Sequence, residues 1–177
     1  MDNPSHFDYI IIGAGAAGLM LADAMISDSF FKGKSILILD KDSKKTNDRT
    51  WCFWEKGEGQ FDSLIHKKWN HIYFGGKQFS KRFHIAPYSY KMIRGIDFYQ
   101  TILQRIKEHS HIVFKQAQVT QVLDNGEMVN VTTSEETYMG GKVFNSIFDY
   151  KMIAHQSKYP VLQQHFVGWF VKTTKPV

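Results

Sequence analysis

Three glycines lie at the spacing of a phosphate-binding loop. They belong to the run Gly13-Ala14-Gly15-Ala16-Ala17-Gly18, which follows an apolar stretch and opens a segment of helical composition. In this setting Gly13 permits a tight turn, Gly15 lets the backbone approach a pyrophosphate, and Gly18 lets the helix pack against the strand. The N-terminus of the helix adds free N–H groups and a partial positive charge. The run therefore predicts a dinucleotide site, with a glycine turn in a phosphate-free α/β protein as the alternative.

Asp40 ends the next apolar run, 22 residues after Gly18. Its two carboxylate oxygens are suited to the hydroxyls of an adenosine ribose, and its charge disfavours a 2′-phosphate there. This argues for FAD or NAD over NADP, unless Asp40 is only a solvated acid at the end of a strand. FAD is favoured over NAD because an Arg- and aromatic-rich segment and a hairpin follow, where a plain Rossmann dehydrogenase continues its strand and helix alternation.

The segment "NDRTWCFWE", residues 47–55, concentrates charge and aromatic surface behind this unit. Arg49 fits a flavin phosphate or a structural carboxylate equally well. Three aromatic residues are expected to line a substrate tunnel or cover a flavin, or to form ordinary core: Trp51, Phe53 and Trp54. Glu55 would be a proton donor if buried beside them, but an exposed carboxylate is the expected state.

These residues must be positioned by a strand, helix, strand unit at the start of the chain. Periodicity predicts strands at 7–12 and 35–39 around a helix at 16–26, with "NDRTWCFWE" in a loop behind them. A hairpin at 69–74 and 78–83 follows, and then a helix whose apolar stripe is Phe98, Tyr99, Ile102, Leu103 and Ile106. Further strands are predicted at 112–122, 128–133 and 142–144, and an extended segment at 161–173. The fold class is therefore α/β, a Rossmann-like βαβ unit with additional hairpins, at the start of a two-part FAD flavoprotein fold.

Composition limits the class of protein. The chain has 177 residues, 43% hydrophobic, 22% charged and 15% aromatic, as in a globular protein rich in aromatics. The apolar run from Tyr9 to Ala22 is too short to span a bilayer and no basic region precedes it, so we expect a cytoplasmic protein without a signal peptide or transmembrane helix. The single cysteine, Cys52, forms no internal disulfide or metal cluster and is expected to be a buried thiol.

The positive charge is concentrated in the middle of the chain. Residues 61–115 hold 10 basic and 3 acidic residues, and their cations alternate with aromatics. Such a pattern suits a solvated hairpin face, an anionic membrane surface or a nucleic acid. No recognised nucleic-acid motif accompanies it, so we expect no nucleic-acid partner.

The motifs together resemble the lycopene cyclase family, the flavoprotein β-cyclases of carotenoid synthesis. The resemblance is carried by "DYIIIGAGAAGLMLADAM", "ILILDKD", "NDRTWCFWE", "VFNSI" and "QHFVGWFVKT", between Asp8 and Lys172. The glycine run is common among flavoproteins, whereas "NDRTWCFWE" and "QHFVGWFVKT" are specific to these cyclases. The resemblance also implies that the backbone at Val119 touches the adenine.

The resemblance implies a non-redox isomerisation of lycopene to γ-carotene and β-carotene. A proton adds to the terminal double bond, a neighbouring double bond attacks the cation, and proton loss closes the ring. Reduced FAD is required, kept reduced by NADPH or NADH, and the expected location is the cytoplasm, peripherally on the membrane that dissolves the carotenoid substrate.

Members of this family are longer than this chain. We therefore expect residues 1–177 to form one FAD-binding region with the beginning of a substrate-binding part, and the C-terminal portion of the family fold to be absent. No catalytic acid is carried over, and the 177-residue chain is expected not to cyclise lycopene. The alternatives are a redox flavoenzyme, such as a polyprenyl reductase or hydroxylase, and a non-catalytic dinucleotide-binding fragment.

Overall fold

The computed structural model describes residues 5–148 and, after them, residues 158, 159, 162, 171 and 174. The chain divides into two compact units, Met1–Ile147 and Phe148–Val177. The helices and strands below all lie in the first unit. Of the extended segment predicted at 161–173, the structure describes only Leu162 and Val171, so that prediction lies outside the described residues.

A six-stranded sheet forms the centre of the first unit, with the strand order β8-β2-β1-β11-β10-β9. β1, β2, β8 and β11 run parallel, and β10 pairs antiparallel with both β9 and β11. The strands are β1 (Ser5–Ile12), β2 (Ile36–Asp40), β8 (Ile112–Gln116), β9 (Val119–Asp124), β10 (Val129–Thr133) and β11 (Thr137–Asn145). The α/β class with a Rossmann-like unit is thereby confirmed.

Two helices cover one face of this sheet. α1 (Ala16–Ser27) connects β1 to β2, and α2 (Gly95–Lys107) precedes β8. The predicted stripe on α2 is confirmed, because four of its residues are buried and the fifth, Leu103, packs against the same core: Phe98, Tyr99, Ile102 and Ile106. β2 is buried along its whole length, as expected of a parallel strand covered on both faces.

A three-stranded antiparallel sheet with the order β3-β7-β4 packs against the helices. Its strands are β3 (Thr50–Lys56), β4 (Ile65–Trp69) and β7 (Tyr88–Arg94). The prediction of a loop at "NDRTWCFWE" is wrong, since most of that segment is β3. Aromatic residues on both faces of this strand hide the alternation that would indicate it: Trp51 and Phe53 pack on the core, while Trp54 is exposed.

Cys52 shares the outer face of β3 with Trp54 and is exposed. The prediction of a buried thiol is therefore wrong. The physical reason is the two-residue period of a strand, which turns residue 52 away from the core as it turns residues 51 and 53 toward it.

The predicted hairpin is confirmed as a separate two-stranded sheet of β5 (His71–Gly76) and β6 (Phe79–His84). The single strand predicted at 112–122 is instead two strands, β8 and β9. The break occurs because Ala117 leaves the ladder and donates its N–H to the carbonyl oxygen of Asp40 over 2.8 Å. Among the described residues, no helix has both the length and the apolar character needed to cross a membrane.

Candidate functional site

The glycine loop lies at the carboxyl end of β1, between the carboxyl ends of β2 and β11. Gly13 has a φ of +95°, a left-handed conformation that favours glycine, and its N–H donates to the Leu39 carbonyl oxygen over 2.7 Å. Ser146, directly after β11, donates its hydroxyl to the carbonyl oxygens of Ile12 and Gly13 over 2.9 and 3.1 Å. The turn is therefore bound to both neighbouring strands.

Gly15 and Gly18 differ in what surrounds them. A β-carbon on Gly18 would lie 1.9 Å from the carbonyl oxygen of Gly13 and 3.2 Å from Ile11 Cγ2, so α1 packs on β1 only without a side chain there. A β-carbon on Gly15 would meet no atom of the described residues within 4 Å. The space in front of Gly15 is thus open to a ligand.

Asp40 is bound to the loop that it faces. Its Oδ2 accepts the backbone N–H of Ala14 over 2.6 Å and lies 3.3 Å from the ammonium of Lys44. Its Oδ1 accepts the N–H of Asp42 over 2.8 Å. A carboxylate has about four acceptor positions, so capacity for a further donor remains.

A polar cleft of about 240 Å³ collects most of the predicted dinucleotide-binding residues. Four of them line it: Gly13, Gly15, Ala16 and Asp40. Arg49 also lines it, with its side chain 71% exposed and its Nε 3.8 Å from Asp48. Arg49 can therefore still turn toward a phosphate, and its two predicted roles both stay open.

The start of α1 faces the same cleft. The helix begins at Ala16 with Gly15 as the residue before it, and no side chain caps this end. The N–H groups of the first turn, including those of Ala17 and Gly18, have no partner within the helix. Such an end binds anions, because its N–H groups and dipole both favour negative charge.

An apolar cleft of about 440 Å³ lies next to the polar one, and Ala16 and Trp51 line both. Trp51 is held by edge-on ring contacts, with centroid distances of 5.3 Å to Phe98 and 5.7 Å to Tyr99. Phe53 and Glu55 follow on the same face of β3 and line the apolar cleft. The structure therefore brings Trp51 and Phe53 together.

Trp54 lies on the opposite face of β3, away from Trp51 and Phe53. Its ring centroid is 5.0 Å from that of Tyr90, and Trp69 approaches Tyr90 as well at 5.9 Å. Trp54 is not among the described residues that line either cleft. Its predicted contact with substrate would need a partner surface on that outer face.

Glu55 is tied to a fully buried lysine. Lys91 Nζ lies 2.7 Å from Glu55 Oε2, 2.6 Å from Asp62 Oδ1 and 2.9 Å from the carbonyl oxygen of Gly57. These contacts satisfy all three donors of the ammonium. Burial lowers the pKa of Lys91, but hydrogen bonds to Asp62 and Glu55 outweigh it and leave the pKa raised. The cluster fixes the Glu55 carboxylate at the wall of the apolar cleft.

Val119 begins β9, and its side chain packs on the second core cluster, which contains Ile10, Leu37 and Tyr138. It is not among the described residues of the polar cleft. Its predicted backbone contact with adenine remains a prediction.

Four residues of the polar cleft were not predicted as site residues: Lys44, Asp48, Tyr99 and Ser146. Tyr99 donates its hydroxyl to Asp48 over 2.9 Å, and burial followed by this bond raises the pKa of Tyr99. Asp48 lies within "NDRTWCFWE" and Ser146 within "VFNSI", so the resemblance motifs contained the signal for these two. Tyr99 was predicted only as core.

The residues present fit a dinucleotide. The open space before Gly15 leaves room for a pyrophosphate, the uncapped start of α1 supplies N–H donors, and Arg49 supplies a mobile cation. Asp40 supplies an acceptor for a ribose. This donor and acceptor set matches what a Rossmann-type glycine loop offers a dinucleotide.

A family model described as lycopene cyclase protein matches residues 8–177. No curated protein matches the sequence. Among solved structures, NikD, an amino acid oxidase of nikkomycin biosynthesis, is similar with a TM-score of 0.57 and 14% identity over 80% of this chain and 51% of that one.

Two further solved structures share the fold. The flavin-dependent brominase Bmp2 has a TM-score of 0.56 and 19% identity over 80% of this chain and 38% of its own. PqsL of P. aeruginosa, in complex with 2-aminobenzoylacetate, has a TM-score of 0.59 and 12% identity over 78% and 42%. The chain therefore spans about half or less of the length of the structures that it matches.

Proposed function

The chain belongs to the lycopene cyclase family, and from this premise we propose that it binds FAD at the glycine loop and takes part in the cyclisation of an acyclic carotenoid. The observation that carries the proposal is the pair of adjoining clefts, one polar and one apolar, which share Ala16 and Trp51. A dinucleotide in the first would lie beside a hydrocarbon in the second.

Each part of the polar cleft has a role in holding the cofactor. The first-turn N–H groups of α1 and the guanidinium of Arg49 bind the pyrophosphate, and Asp40 accepts from the ribose. The charge of Asp40 opposes a 2′-phosphate, which favours FAD over NADP at this loop. Solved flavoenzymes of the same fold, such as the brominase Bmp2, support the choice of a flavin.

The apolar cleft is suited to the end of a polyene. Trp51, Phe53 and Phe61 present aromatic faces, which pack hydrocarbon and stabilise a carbocation through the cation–π effect. Bound FAD in its reduced form supplies an electron-rich ring system that stabilises the developing positive charge. The apolar walls exclude water, which would otherwise capture the cation.

The proton donor is not assigned to a residue of this chain. Glu55 is the one carboxylate lining the apolar cleft among the described residues, but Lys91 holds it at 2.7 Å. Its role in the proposal is to present fixed negative charge to the cleft. The reductant that maintains the flavin is NADPH or NADH.

The experiment that tests the proposed reaction measures product and reductant together. The chain, alone and joined to the C-terminal part of a lycopene cyclase, is supplied with FAD, NADPH and lycopene, and the pigments are separated by chromatography. A cyclase forms γ-carotene or β-carotene while consuming far less NADPH than product. Consumption of NADPH in proportion to product would instead identify a redox flavoenzyme, and the cyclase proposal would be wrong.

A further inference from the structure

The hairpin of β5 and β6 carries an apolar strip on one face. Residues paired across the two strands point to the same side, so the register Ile72↔Phe83, Phe74↔Lys81 and Gly76↔Phe79 places these six on one face. The rings of Phe74 and Phe79 lie 6.1 Å apart, and the ammonium of Lys81 lies 5.1 Å from the ring centre of Phe83. The strip is therefore continuous from the tip of the hairpin to its base.

This strip is exposed to solvent. Phe74 is 64% and Phe79 50% exposed, and neither belongs to a core cluster of the described residues. Exposed aromatic surface on adjacent residues is unfavourable in water and marks an interaction surface. The folded first unit thus presents an apolar patch that its own core does not use.

The charge of the hairpin has a single sign. Lys77, Lys81 and Arg82 lie within it, residues 71–84 contain no acidic residue, and none of the three cations has a carboxylate partner among the described residues. On the face opposite the strip, burial and then the charges of Arg82 and His84 lower the pKa of His71. A partner that complements this patch must be anionic and must accept aromatic side chains.

We propose that the hairpin of β5 and β6 docks this protein on an anionic lipid bilayer. Aromatic rings are favoured at the boundary between headgroups and acyl chains, and lysine and arginine are attracted to anionic headgroups by about 1 kcal/mol each. Phe74 and Phe79 enter this boundary, while Lys77, Lys81 and Arg82 contact the headgroups. The inference does not depend on the cofactor, so it stands or fails separately from the proposed function.

The test is sedimentation of the chain with vesicles. Vesicles of phosphatidylcholine alone are compared with vesicles that also contain phosphatidylglycerol, at low and at high salt. We expect binding to the anionic vesicles, weakened by salt because the attraction is screened. The variant Lys77→Gln/Lys81→Gln/Arg82→Gln is expected to bind at least about tenfold more weakly.

Matched variants separate the hairpin from the overall charge and hydrophobicity. Lys41→Gln/Lys45→Gln/Lys107→Gln removes the same charge from exposed positions elsewhere. Phe30→Ser/Leu123→Ser, at side chains 64% and 55% exposed, matches Phe74→Ser/Phe79→Ser. Circular dichroism checks that each variant is folded. We expect both control variants to bind like the parent chain and Phe74→Ser/Phe79→Ser to lose about tenfold or more.

Several outcomes would overturn the inference. They are equal binding to neutral and anionic vesicles, equal losses in the hairpin and control variants, and no vesicle binding at all. Self-association that depends on Phe74 and Phe79 in the absence of vesicle binding would assign the strip to a second copy of the chain. Retention of RNA without vesicle binding would assign the basic residues to nucleic acid.

Discussion

Ala14 and Asp40 are joined by a hydrogen bond of 2.6 Å from a backbone N–H to a carboxylate oxygen, buried between the glycine loop and the end of β2. The bond holds the loop against the strand whose terminal acid would contact a ribose. It therefore couples the shape of the dinucleotide site to the stability of the βαβ unit.

Replacing Asp40 tests this coupling without any cofactor. Asp40→Ala leaves the buried N–H of Ala14 without an acceptor, so we expect the free energy of unfolding to fall by about 1–3 kcal/mol. Asp40→Asn keeps an amide oxygen for Ala14 and should lose less. Urea unfolding followed by circular dichroism measures both, and equal stability of Asp40→Ala and the parent chain would contradict the coupling.

The two glycines of the loop should respond oppositely to the same substitution. Gly18→Ala places a methyl group against the Gly13 carbonyl oxygen and forces α1 away from β1, which we expect to cost about 1–3 kcal/mol of unfolding free energy. Gly15→Ala points into open space and should leave the thermal midpoint unchanged. A Gly18→Ala chain as stable as the Gly15→Ala chain would show that α1 and β1 are not packed this closely.

Lys91 should matter more to stability than any exposed lysine of the same sheet. Lys91→Met removes the ammonium that joins Glu55, Asp62 and the Gly57 carbonyl oxygen, so we expect the melting temperature to fall by several degrees. Lys56→Met, at an exposed position on β3, is the matched control and should have little effect. If both variants melt at the same temperature, the cluster does not stabilise the second sheet.

Acid should weaken the fold partly through Asp62. The hydrogen bond from Lys91 lowers the pKa of Asp62 below its ordinary value of 3.8, although burial opposes the shift. A lowered pKa contributes stability above the unfolded value, and that contribution is lost as the pH falls below 3.8 through the folded value. Unfolding free energies measured from pH 6 to pH 2 should therefore fall less steeply for Asp62→Asn than for the parent chain.

The elements around the glycine loop could be predicted because several local signals agree there. The apolar strands, the glycine spacing and Asp40 all indicate one βαβ unit, and the stripe on α2 has clear helical spacing. The strand β3 could not, because aromatic residues on both of its faces remove the alternation on which such a prediction depends.

The site was predictable only in part for a related reason. Gly13, Gly15, Asp40 and Arg49 belong to local motifs, and the structure brings them to one cleft. Lys91 pairs with Glu55 and Asp62 from 36 and 29 residues away, and such a cluster has no signature in the sequence. Tyr99 reaches Asp48 across 51 residues in the same way.

The central claim is that FAD is held at the glycine loop, and the affinity of the Gly15→Val chain for FAD tests it most directly. A valine there fills the open space before the loop without touching the described protein atoms, whereas Gly76→Val, also in open space, lies in the hairpin and serves as the control. We expect quenching of flavin fluorescence to show that Gly15→Val binds FAD at least tenfold more weakly, about 1.4 kcal/mol, and that Gly76→Val binds like the parent chain. Unchanged FAD affinity in a folded Gly15→Val chain, or binding of NAD but not FAD by the parent chain, would contradict the account.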